Sequence, residues 1–457
     1  MKKTEKYEEK NILVLGLARS GKNAALLLHQ LGAKVTVNDA KDLSDDPDAQ
    51  ELEELGINVV SGGHPENLLD EKIDFLIKNP GIRYDNPIIE KALAQKIPIL
   101  TDVELAYEVC EGILVAITGT NGKTTTTMML TEVMNTDRKK GKAFAAGNIG
   151  FPASEVVQKV TSEDELIMEM SSFQLMGTQH FRPSIAVFTN IYSAHLDYHS
   201  SREEYVQAKM NITKNQKETD WFIYNWDLPE LRKLSEESPA QLVPFSRHER
   251  MENGVYVLDG TIYFRNEPVM EREDVALPGE HNLENALAAI AAAKLLGKTN
   301  KQIQDCLSRF SGVKHRMQFV LEHENRKVYN DSKATNTLAT IQALQGFNQP
   351  IVLLAGGLDR GQTFEDLVPV LKEHVKAMIV FGETASTLIK AGEKAGVKTI
   401  RKVADVTASV PEAFEVSESG DVILFSPACA SWDQYDSFEK RGDAFIESVN
   451  KLVHKPQ

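Results

Sequence analysis

The sequence is poor in cysteine and lacks long apolar runs. Its 457 residues include three cysteines, Cys110, Cys306 and Cys429, which lie far apart and form no C-x-x-C pair. This usage fits a reducing compartment and offers no cysteine cluster for zinc. No window approaches the roughly 18 apolar residues that a membrane span needs, and the first residues contain no apolar stretch long enough for a signal sequence. We therefore expect a cytoplasmic protein without membrane spans.

Positive charge is also scarce. The chain has 51 Lys and Arg residues against 66 Asp and Glu residues, which gives a formal net charge of −15. This balance argues against nucleic acid and anionic membranes as partners. If the ligands are anionic, Lys and Arg must be concentrated locally around them.

The chain is too long for one hydrophobic core, because cores rarely grow beyond about 250–300 residues. Strand signals such as NILVLG and DFLIKNPG alternate with helical patterns, which predicts parallel sheets with crossover helices. We predict three α/β domains, at residues 1–104, 105–312 and 313–457. The first and third are expected to be Rossmann-like, and the central one is expected to be P-loop ATPase-like.

Two further patterns lie late in the predicted central domain. VYVLDGTIYF predicts a β-hairpin around its Asp-Gly pair. HNLENALAAIAAAKLLG predicts a helix that ends at Gly297.

The stretch VAITGTNGKTTTTMML contains a candidate phosphate-binding loop. The common loop reads G-x-x-x-x-G-K-[ST], but the residue five before Gly122 is Ile117. The loop follows a predicted strand and precedes a predicted helix, so backbone N–H groups and the helix N-terminus would face an anion. The alternative is a strand-to-helix turn that is merely rich in Gly and Thr. The candidate nucleotide-binding residues are Gly119, Thr120, Asn121, Gly122, Lys123, Thr124 and Thr125.

A second glycine turn, GLARSG, occupies residues 16–21. It is similar to a dinucleotide-binding turn, although Ala18 replaces the middle glycine. Asp39 ends the next predicted strand about twenty residues later, where such folds bind a ribose hydroxyl. The pattern favours binding of a nucleotide diphosphate but does not distinguish NAD from a UDP-sugar. A purely structural turn is the alternative.

Three polar residues could surround a metal and a phosphate. Glu169 ends the predicted strand ELIMEM, His195 follows SIAVFTNIY, and Lys209 lies in a predicted helix. Mg²⁺ prefers oxygen ligands, so Glu169 is the natural direct or water-mediated ligand, whereas a bare ammonium on Lys209 cannot bind a cation. Taken singly, each residue is better explained in an ordinary way, as a capping carboxylate, a surface histidine or a solvated lysine.

Eight segments carry a family resemblance. In chain order they are GTNGKTT, EMSSFQL, SAHLDYH, YVQAKMNI, GEHNLENALAA, GVKHR, NDSKATN and SPACASWDQYDSFEKRG. Together they resemble the Mur ligase family, whose members add amino acids to the peptidoglycan precursor, over essentially the whole chain. GLARSG, NDSKATN and SPACASWDQ make the chain most similar to the members that add D-glutamate, and the D-N-P-R signature of the diaminopimelate-adding members is absent.

This resemblance implies an activity and its partners. The expected reaction is ATP-dependent ligation of D-glutamate to UDP-N-acetylmuramoyl-L-alanine through an acyl phosphate, with Mg²⁺ as cofactor. It would be a cytoplasmic step of cell wall synthesis, and hence of cell shape and division, carried out by a monomer. The GLARSG turn would then bind a UDP-sugar rather than NAD.

The resemblance also implies roles for single residues around the nucleotide. Lys123 would bind the γ-phosphate, and Thr124 would help to position Mg²⁺. Glu169 and His195 match metal-site positions, with His195 orienting the surroundings of the metal. Lys209 matches a lysine that CO₂ carbamylates, which turns an ammonium into a carboxylate-like metal ligand. Further nucleotide contacts are implied for Asn282, Asn285, Arg316 and Asp331; the two asparagines could instead cap the helix that begins there.

The substrate positions follow from the same resemblance. Those for the UDP-sugar are Arg19, Ser20, Gly21, Asp39, Lys41, Asn79, Gly81 and Asn148. Those for D-glutamate are Lys333, Thr335, Ser431 and Phe438, and His315 belongs to the K-H-R segment between domains. Asn79 stands where the family more usually has serine. A dicarboxylic amino acid needs cationic and N–H donors, which Lys333 and Ser431 with nearby backbone amides would supply.

Other hypotheses compete with this one. Another Mur ligase remains possible within the family, whereas a folylpolyglutamate synthase conflicts with a complete N-terminal UDP-type domain. An NAD-dependent oxidoreductase would rest on GLARSG and Asp39 and leaves the phosphate loop unexplained. A noncatalytic nucleotide sensor would not need to keep Lys123, Glu169, His195 and Lys209.

Overall fold

A computed structural model describes residues 1–70, 72–192 and 198–453. In these ranges helices surround the strands of three β-sheets. The chain forms two compact units, of which the first comprises Met1–Asp274 with Glu284–Leu307 and the second comprises Val275–Leu283 with the chain from Ser308 onward. No helix in the described ranges combines the length and the apolarity that crossing a bilayer requires.

The first sheet has the parallel strand order β3-β2-β1-β4-β5. Its strands are β1 (Asn11–Leu15), β2 (Lys34–Asn38), β3 (Asn58–Val60), β4 (Phe75–Lys78) and β5 (Ile99–Leu100). The helices of this part are α1 (Arg19–Gln30), α2 (Pro47–Glu54), α3 (Pro87–Ala94) and α4 (Asp102–Val109). The chain direction across the sheet reverses between β1 and β4, and ligands of open α/β sheets bind at the carboxyl ends of strands beside such a switch point.

The second sheet, also in the first unit, has the order β14-β13-β12-β11-β10-β9-β6-β8-β7. Its strands are β6 (Ile113–Thr118), β7 (Ala143–Gly147), β8 (Glu165–Glu169), β9 (Ile185–Phe188), β10 (Trp221–Asn225), β11 (Gln241–Ser246), β12 (Val255–Leu258), β13 (Thr261–Phe264) and β14 (Glu267–Glu271). Pairing is parallel from β7 through β12 and antiparallel from β12 through β14. The helices that follow β6 are α5 (Lys123–Asn135), α6 (Ala153–Val156), α7 (Ser172–Met176), α8 (Arg202–Met210), α9 (Pro229–Ser235), α10 (Glu280–Leu295) and α11 (Asn300–Leu307).

Two local predictions for this region are confirmed. β12 and β13 form an antiparallel hairpin whose turn residues Asp259 and Gly260 both have positive φ, at 50° and 87°, as a type I′ turn requires. Gly297 follows α10 with φ of 83°, and the N–H of Lys298 donates to the carbonyl oxygen of Ala293 at 2.9 Å. This bond closes the helix in the manner of a glycine C-cap.

The third sheet lies in the second unit and has the order β15-β16-β20-β17-β18-β19. Its strands are β15 (Gln318–His323), β16 (Arg326–Asn330), β17 (Ile351–Gly356), β18 (Val375–Phe381), β19 (Thr399–Lys402) and β20 (Val422–Phe425). The accompanying helices are α12 (Thr337–Leu344), α13 (Val368–His374), α14 (Ala385–Ala395), α15 (Val406–Val416) and α16 (Phe438–Val453). Only the β15–β16 pairing is antiparallel among the strand pairs described in this sheet. Apolar clusters pack on both of its faces.

The predicted α/β class with parallel sheets is confirmed. The sequence patterns did not single out the strands β7, β10, β11, β14, β15 and β19. The domain boundaries near residues 104 and 312 stay predictions.

Candidate active site

The candidate phosphate loop joins β6 to α5. Gly119 and Gly122 have φ of +153° and +76°, conformations that favour glycine. A Cβ added at Gly119 would overlap Thr189 Oγ1, and one at Gly122 would overlap Asn285 Oδ1. Both positions therefore require glycine for close approach as well as for conformation. The loop leads into the first turn of α5, where backbone N–H groups can bind an anion.

The segment after β9 braces this loop. The N–H of Thr120 donates to Asn190 O at 2.9 Å, and the N–H of Asn121 donates to Asn190 Oδ1 at 2.8 Å. Thr189 Oγ1 in turn donates to Asn121 O at 2.7 Å. Because β9 lies next to β6 in the sheet, these bonds set the shape of the loop before any ligand binds. The sequence analysis did not assign a role to Thr189 or Asn190.

The Lys123 side chain folds back and contacts its own loop. Its Nζ donates to Gly119 O at 3.0 Å and to Thr120 O at 2.9 Å. Thr124 and Thr125, next along α5, are buried. The ammonium and the first turn of α5 thus lie together at the carboxyl end of β6, where the phosphate hypothesis requires them.

Glu169 ends β8 beside this loop, since it pairs with Ile117 in the adjacent β6. One carboxylate oxygen, Oε1, accepts a hydrogen bond from Asn148 Nδ2 at 2.9 Å. The other, Oε2, is buried and has no hydrogen-bond partner among the residues described. An orphaned carboxylate oxygen is costly to bury, so this atom points to a missing cation or donor.

A magnesium ion fits this edge of the sheet. In the described part of the chain, no group of three or more His, Cys, Asp or Glu side chains could hold a metal ion. Mg²⁺, however, commonly takes one or two protein carboxylates and completes its shell with phosphate oxygens and water. Glu169 next to the phosphate loop satisfies that requirement. His195, the other predicted metal residue, lies outside the described residues.

Lys209 on α8 is buried against the same loop. Its Nζ donates to Gly119 O at 2.7 Å and lies 4.9 Å from the centre of the Tyr205 ring. Burial lowers the pKa of Lys209 well below its usual range, and the charge of Lys123 adds to this effect, whereas Glu169 opposes it. A lowered pKa favours the neutral amine, whose lone pair is what reaction with CO₂ needs.

The GLARSG turn lies at the carboxyl end of β1, on one side of the switch point. A Cβ added at Gly21 would overlap the carbonyl oxygen of Gly16, so Gly21 allows α1 to pack closely on the strand. Ser20 accepts a hydrogen bond from Asn79 Nδ2 at 3.1 Å. Arg19 is exposed and donates to Gly150 O at 2.7 Å. A glycine turn that leads into a helix N-terminus at this edge of an open α/β sheet is a common place for a nucleotide diphosphate to bind.

Asp39 supports this turn through backbone contacts. Its Oδ2 accepts from the N–H of Leu17 at 2.8 Å, and its Oδ1 accepts from the N–H of Lys41 at 2.9 Å. Lys41 itself is exposed. Asp39 thus lies at the carboxyl end of β2, as the sequence predicted, and its side chain contacts the GLARSG turn.

On the other side of the switch point, Asn79 follows β4. Its Oδ1 accepts from the N–H of Gly81 at 3.1 Å, and its amide nitrogen reaches Ser20. The asparagine therefore joins the two turns that flank the switch point. Asn148 lies instead beside Glu169, at the carboxyl end of β7.

In the second unit, Asp331 and Ser332 follow β16 and are buried. Asp331 Oδ1 accepts from the N–H of Met317 at 3.1 Å, and Oδ2 accepts from Ser426 Oγ at 2.9 Å. Burial raises the pKa of Asp331 to about 7, although the hydrogen bonds from Ser426 and Met317 and the charge of Arg316 oppose that rise. His315 packs its Nδ1 3.0 Å from Asn330 Nδ2, and burial lowers its pKa.

The predicted D-glutamate residues gather at the carboxyl ends of β16 and β20. Lys333 Nζ lies 5.6 Å from the centre of the Phe438 ring, and the N–H of Thr335 donates to Lys333 O at 2.9 Å. Ser431 is buried, and its Oγ has no hydrogen-bond partner in the ranges described. A cation and an unsatisfied hydroxyl are suitable partners for a carboxylate.

Arg441, inside the SFEKRG motif, was missed by the sequence analysis. Its buried guanidinium donates to Ser332 O and Cys429 O, both at 2.9 Å, and to Gly356 O at 3.3 Å. Burial lowers its pKa to about 10. The side chain therefore ties together the chain segments at the carboxyl ends of β16, β20 and β17.

The two asparagines of HNLEN lie within α10 rather than at its cap. Asn282 Nδ2 donates to Pro278 O at 2.7 Å. Asn285 Oδ1 accepts from Thr126 Oγ1 at 3.3 Å, which places it against the helix of the phosphate loop.

Three family models match the chain in order. They are "Mur ligase MurD-like, N-terminal domain" at residues 10–101, "Mur ligase middle domain" at 117–293 and "Mur ligase, glutamate ligase domain" at 315–429. A protein of Latilactobacillus sakei subsp. sakei (strain 23K) named UDP-N-acetylmuramoylalanine--D-glutamate ligase is 56% identical over 447 residues, 98% of each chain. A protein of the same name from Listeria monocytogenes serovar 1/2a is 55% identical over 455 residues, 100% of this chain and 99% of its own.

The chain belongs to the Mur ligase family. Solved structures agree on the fold of this Mur ligase. The UDP-N-acetylmuramate-alanine ligase of Thermotoga maritima is 22% identical with a TM-score of 0.58, covering 97% of this chain and 99% of its own. The MurF ligase of Thermotoga maritima in complex with ADP is 18% identical with a TM-score of 0.56, covering 98% and 97%. The three-domain Mur ligase architecture is therefore confirmed.

Some functional candidates of this Mur ligase carry no sequence signal of their own. Asn190 belongs to an ordinary Thr-Asn pair at the end of a predicted strand. Arg441 lies in the charged run EKRG, which is typical of an exposed helix surface. Their contacts join segments far apart in the chain, which spacing alone does not reveal.

Proposed function

We propose that this Mur ligase joins D-glutamate to the L-alanyl carboxylate of UDP-N-acetylmuramoyl-L-alanine, with conversion of ATP to ADP and phosphate. The relatives named above carry the corresponding name across essentially full length. The observation that carries the chemistry is the grouping of Lys123, Lys209 and Glu169 around one glycine loop. A turn with a purely structural role would not need two lysines and a buried carboxylate grouped around it.

In this proposal the phosphate loop binds ATP. Backbone N–H groups of the loop and of the first turn of α5 bind phosphate oxygens, and Lys123 moves from its loop carbonyls to the γ-phosphate. Gly119 and Gly122 suit this role, because they let the loop pack against Thr189 and Asn285 with its backbone in conformations that favour glycine. The neighbouring Thr124 hydroxyl helps to position the metal. Around the nucleoside, Asn282, Asn285, Arg316 and Asp331 supply further contacts.

Glu169 would hold Mg²⁺ through its unpartnered oxygen, aided by His195. Lys209, as a carbamate, would add a second anionic ligand. Its burial and its lowered pKa support this modification, since CO₂ adds to an unprotonated amine. When bound, the metal offsets negative charge on the transferring phosphoryl group.

The UDP-sugar would occupy the switch point of the first sheet. Arg19, Ser20 and Gly21 would meet the diphosphate at the N-terminus of α1. Asp39 and Lys41 would lie near the uracil end, and Asn79, Gly81 and Asn148 would line the rest of the site.

D-glutamate would bind at the carboxyl ends of β16 and β20. Lys333 supplies the cation, and Ser431 with nearby backbone N–H groups binds the side-chain carboxylate. Thr335 and Phe438 complete the D-glutamate site. The carbonyl oxygen of His315 accepts a hydrogen bond from the N–H of Lys333 at 2.9 Å and so helps to position Lys333.

The steps follow from the chemistry of a carboxylate, which is a poor electrophile towards an amine. An oxygen of the L-alanyl carboxylate attacks the γ-phosphorus, ADP leaves, and an acyl phosphate forms. The amine of D-glutamate then adds to the carbonyl carbon to give a tetrahedral intermediate. Collapse of this intermediate expels phosphate, and the nitrogen loses one proton, which leaves an amide. The enzyme would act as a cytoplasmic monomer in peptidoglycan precursor synthesis, and so in cell shape and division.

Phosphate release tests the proposal directly. The protein is incubated with ATP, Mg²⁺ and UDP-N-acetylmuramoyl-L-alanine, and separate tubes receive D-glutamate, L-glutamate, L-lysine, diaminopimelate or D-alanyl-D-alanine. Release only with D-glutamate is the expected result. Release with another amine would move this Mur ligase to a different step, and release in no tube would refute the ligase.

A further inference from the structure

Lys78, the last residue of β4, is a buried lysine that the proposed reaction leaves unused. It is 1% exposed, and its Nζ donates to Ile82 O at 2.8 Å and to Pro80 O at 3.2 Å. Burying an ammonium is unfavourable unless hydrogen bonds replace its water. Burial is the one cause that lowers its pKa, to about 7, with no carboxylate among the described residues opposing the shift. We therefore expect this buried lysine to stabilise a local structure that the protein needs.

Tyr198 binds the same two carbonyl groups as Lys78. Its hydroxyl donates to Ile82 O at 2.9 Å and to Pro80 O at 3.2 Å, and it lies 3.2 Å from Lys78 Nζ. Tyr198 follows β9 in the second sheet, whereas Lys78 ends a strand of the first sheet. Two side chains from separate sheets thus converge on one short turn.

That turn, residues 79–82, forms one wall of the switch point. The N–H of Ile82 donates to Asn79 O at 3.0 Å, which closes the turn. Asn79 reaches across to Ser20 in the GLARSG turn. Because Pro80 and Ile82 direct their carbonyl groups to Lys78 and Tyr198, these two side chains fix the shape of the turn that carries Asn79.

Tyr198 also begins a chain of contacts that ends at the phosphate loop. Its ring lies 5.3 Å from the ring of the buried His199, which lies 5.3 Å from the ring of Tyr205. The Tyr205 hydroxyl is 3.0 Å from Thr120 Oγ1 in the loop. His199 Nε2 is in turn hydrogen-bonded to Ser172 Oγ at 2.9 Å.

We propose that Lys78 and Tyr198 are positioning residues for the UDP-sugar. Together they clamp the 79–82 turn in the shape that lines the switch point, and Tyr198 ties that wall to the phosphate loop. The inference rests on the proposed function, which supplies the UDP-sugar as ligand. Neither side chain touches the reacting atoms, so the clamp governs how the sugar nucleotide is bound.

The test measures binding rather than turnover. Lys78→Met removes the donors with little loss of volume, and Tyr198→Phe removes one hydroxyl. Lys298→Met is the matched control, because Lys298 is also buried and its Nζ donates to a backbone carbonyl, that of Thr136, at 2.8 Å beyond the far end of α5. Calorimetry with UDP-N-acetylmuramoyl-L-alanine and, separately, with a nonhydrolysable ATP analogue gives the dissociation constants.

We expect each clamp variant to weaken binding of the UDP-sugar about tenfold, as loss of buried hydrogen bonds implies, with affinity for the ATP analogue within about twofold of wild type. Hydrogen exchange of residues 79–84 should accelerate in both variants and not in the control. Because the two side chains share acceptors, the double variant should lose less than the sum of the single losses.

Unchanged UDP-sugar affinity in both variants would overturn the clamp. Equal losses for both ligands would also overturn it, since that pattern marks a general structural defect. If Lys78→Met fails to fold, the UDP-sugar affinity of Tyr198→Phe alone tests the clamp. A wild type that binds the UDP-sugar but releases no phosphate with D-glutamate would refute the proposed function and leave the clamp to be judged by binding. A wild type that does not bind the UDP-sugar would refute the clamp's role.

Discussion

Lys209 Nζ donates a 2.7 Å hydrogen bond to the carbonyl oxygen of Gly119, the first residue of the phosphate loop. A buried lysine, a glycine loop and the end of a parallel strand are thereby joined at one point. The loop carbonyl and the Tyr205 ring hold the amine in place, while burial and Lys123 disfavour its charge. The arrangement suits a lysine that acts after modification rather than as a cation.

Replacing Lys209 tests the carbamate. Lys209→Ala should lower kcat by at least about 100-fold, the scale on which a lost catalytic electrostatic group acts, while the melting temperature shows a folded protein. Bicarbonate should not restore activity, because alanine has no amine to carbamylate. A short-chain carboxylic acid should restore part of the activity. Lys298→Ala serves as the control for loss of a buried lysine. Wild-type turnover in Lys209→Ala would exclude the carbamate role.

Glu169→Gln tests the metal site. The amide keeps the shape and an oxygen for Asn148 but removes the charge that a cation needs, so the Mg²⁺ concentration for half-maximal activity should rise at least about tenfold. Glu132→Gln is the control, because it makes the same change at an exposed carboxylate in the last turn of α5. Titration of activity with Mg²⁺ gives the result, and an unchanged magnesium requirement would place the metal elsewhere.

Gly122→Ala tests the close approach in the loop. The methyl group adds left-handed strain of about 1–2 kcal/mol and overlaps the side chain of Asn285. Gly56→Ala is a strict control, since Gly56 has a similar φ of +82° and nothing within 4 Å of the added Cβ. We expect both variants to lose stability, but only Gly122→Ala to lose ATP affinity, measured by calorimetry. Equal ATP affinity in the two variants would contradict the role of the loop.

Lys333→Ala tests the amino-acid site. Removing the cation beside Phe438 should raise the KM for D-glutamate about tenfold or more, the scale of a charge-assisted hydrogen bond to a charged group, with a much smaller change in the KM for ATP. Lys440→Ala, an exposed lysine paired with Asp436, is the control. Steady-state kinetics with each substrate varied would show the split, and equal effects on both constants would mean that D-glutamate binds elsewhere.

The pH dependence of stability tests the state of Lys78. Its pKa is about 7 in the folded protein against 10.5 for the ordinary side chain. Between these values the unfolded chain binds one more proton than the folded chain, so this group makes stability rise with pH, by at most about 1.4 kcal/mol per pH unit. Below pH 7 both states carry the proton, and the full cost of the buried charge is present.

The measurement compares denaturant unfolding of wild type and Lys78→Met from pH 7 to 10. The stability of wild type relative to the variant should increase over that range, because other titrating groups cancel in the difference. A flat difference would show that Lys78 keeps its ordinary pKa and is hydrated in solution.

The sequence predicted those features that depend on neighbours in the chain. Apolar runs such as NILVLG mark buried parallel strands because both faces of such strands are covered. The Asp-Gly turn and Gly297 were predictable because positive φ favours glycine and a few polar residues. The phosphate loop was visible because its glycines, lysine and threonines lie within seven residues, 119–125.

Edge strands were harder to predict. β15 pairs antiparallel at one edge of the third sheet, and its sequence QFVLEH mixes charged and apolar residues. The opposite edge strand, β19, reads TIRK and is likewise partly exposed. Edge positions bury only part of each side chain, so the apolar signal that identifies central strands is weak there.

Only the tertiary structure decided which distant residues meet. Lys78 looked like the end of an apolar strand, Tyr198 like part of a motif, and Arg441 like a surface residue of a helix. Tyr198 and Arg441 bind carbonyl oxygens of distant segments, and Lys78 contacts the Tyr198 hydroxyl. A backbone carbonyl leaves no trace in the amino-acid sequence. The sequence by itself determined the elements and the local phosphate loop, because those depend on nearby residues. The fold decided the supports around them, because hydrogen bonds between distant segments depend on geometry that arises only when the sheets are assembled.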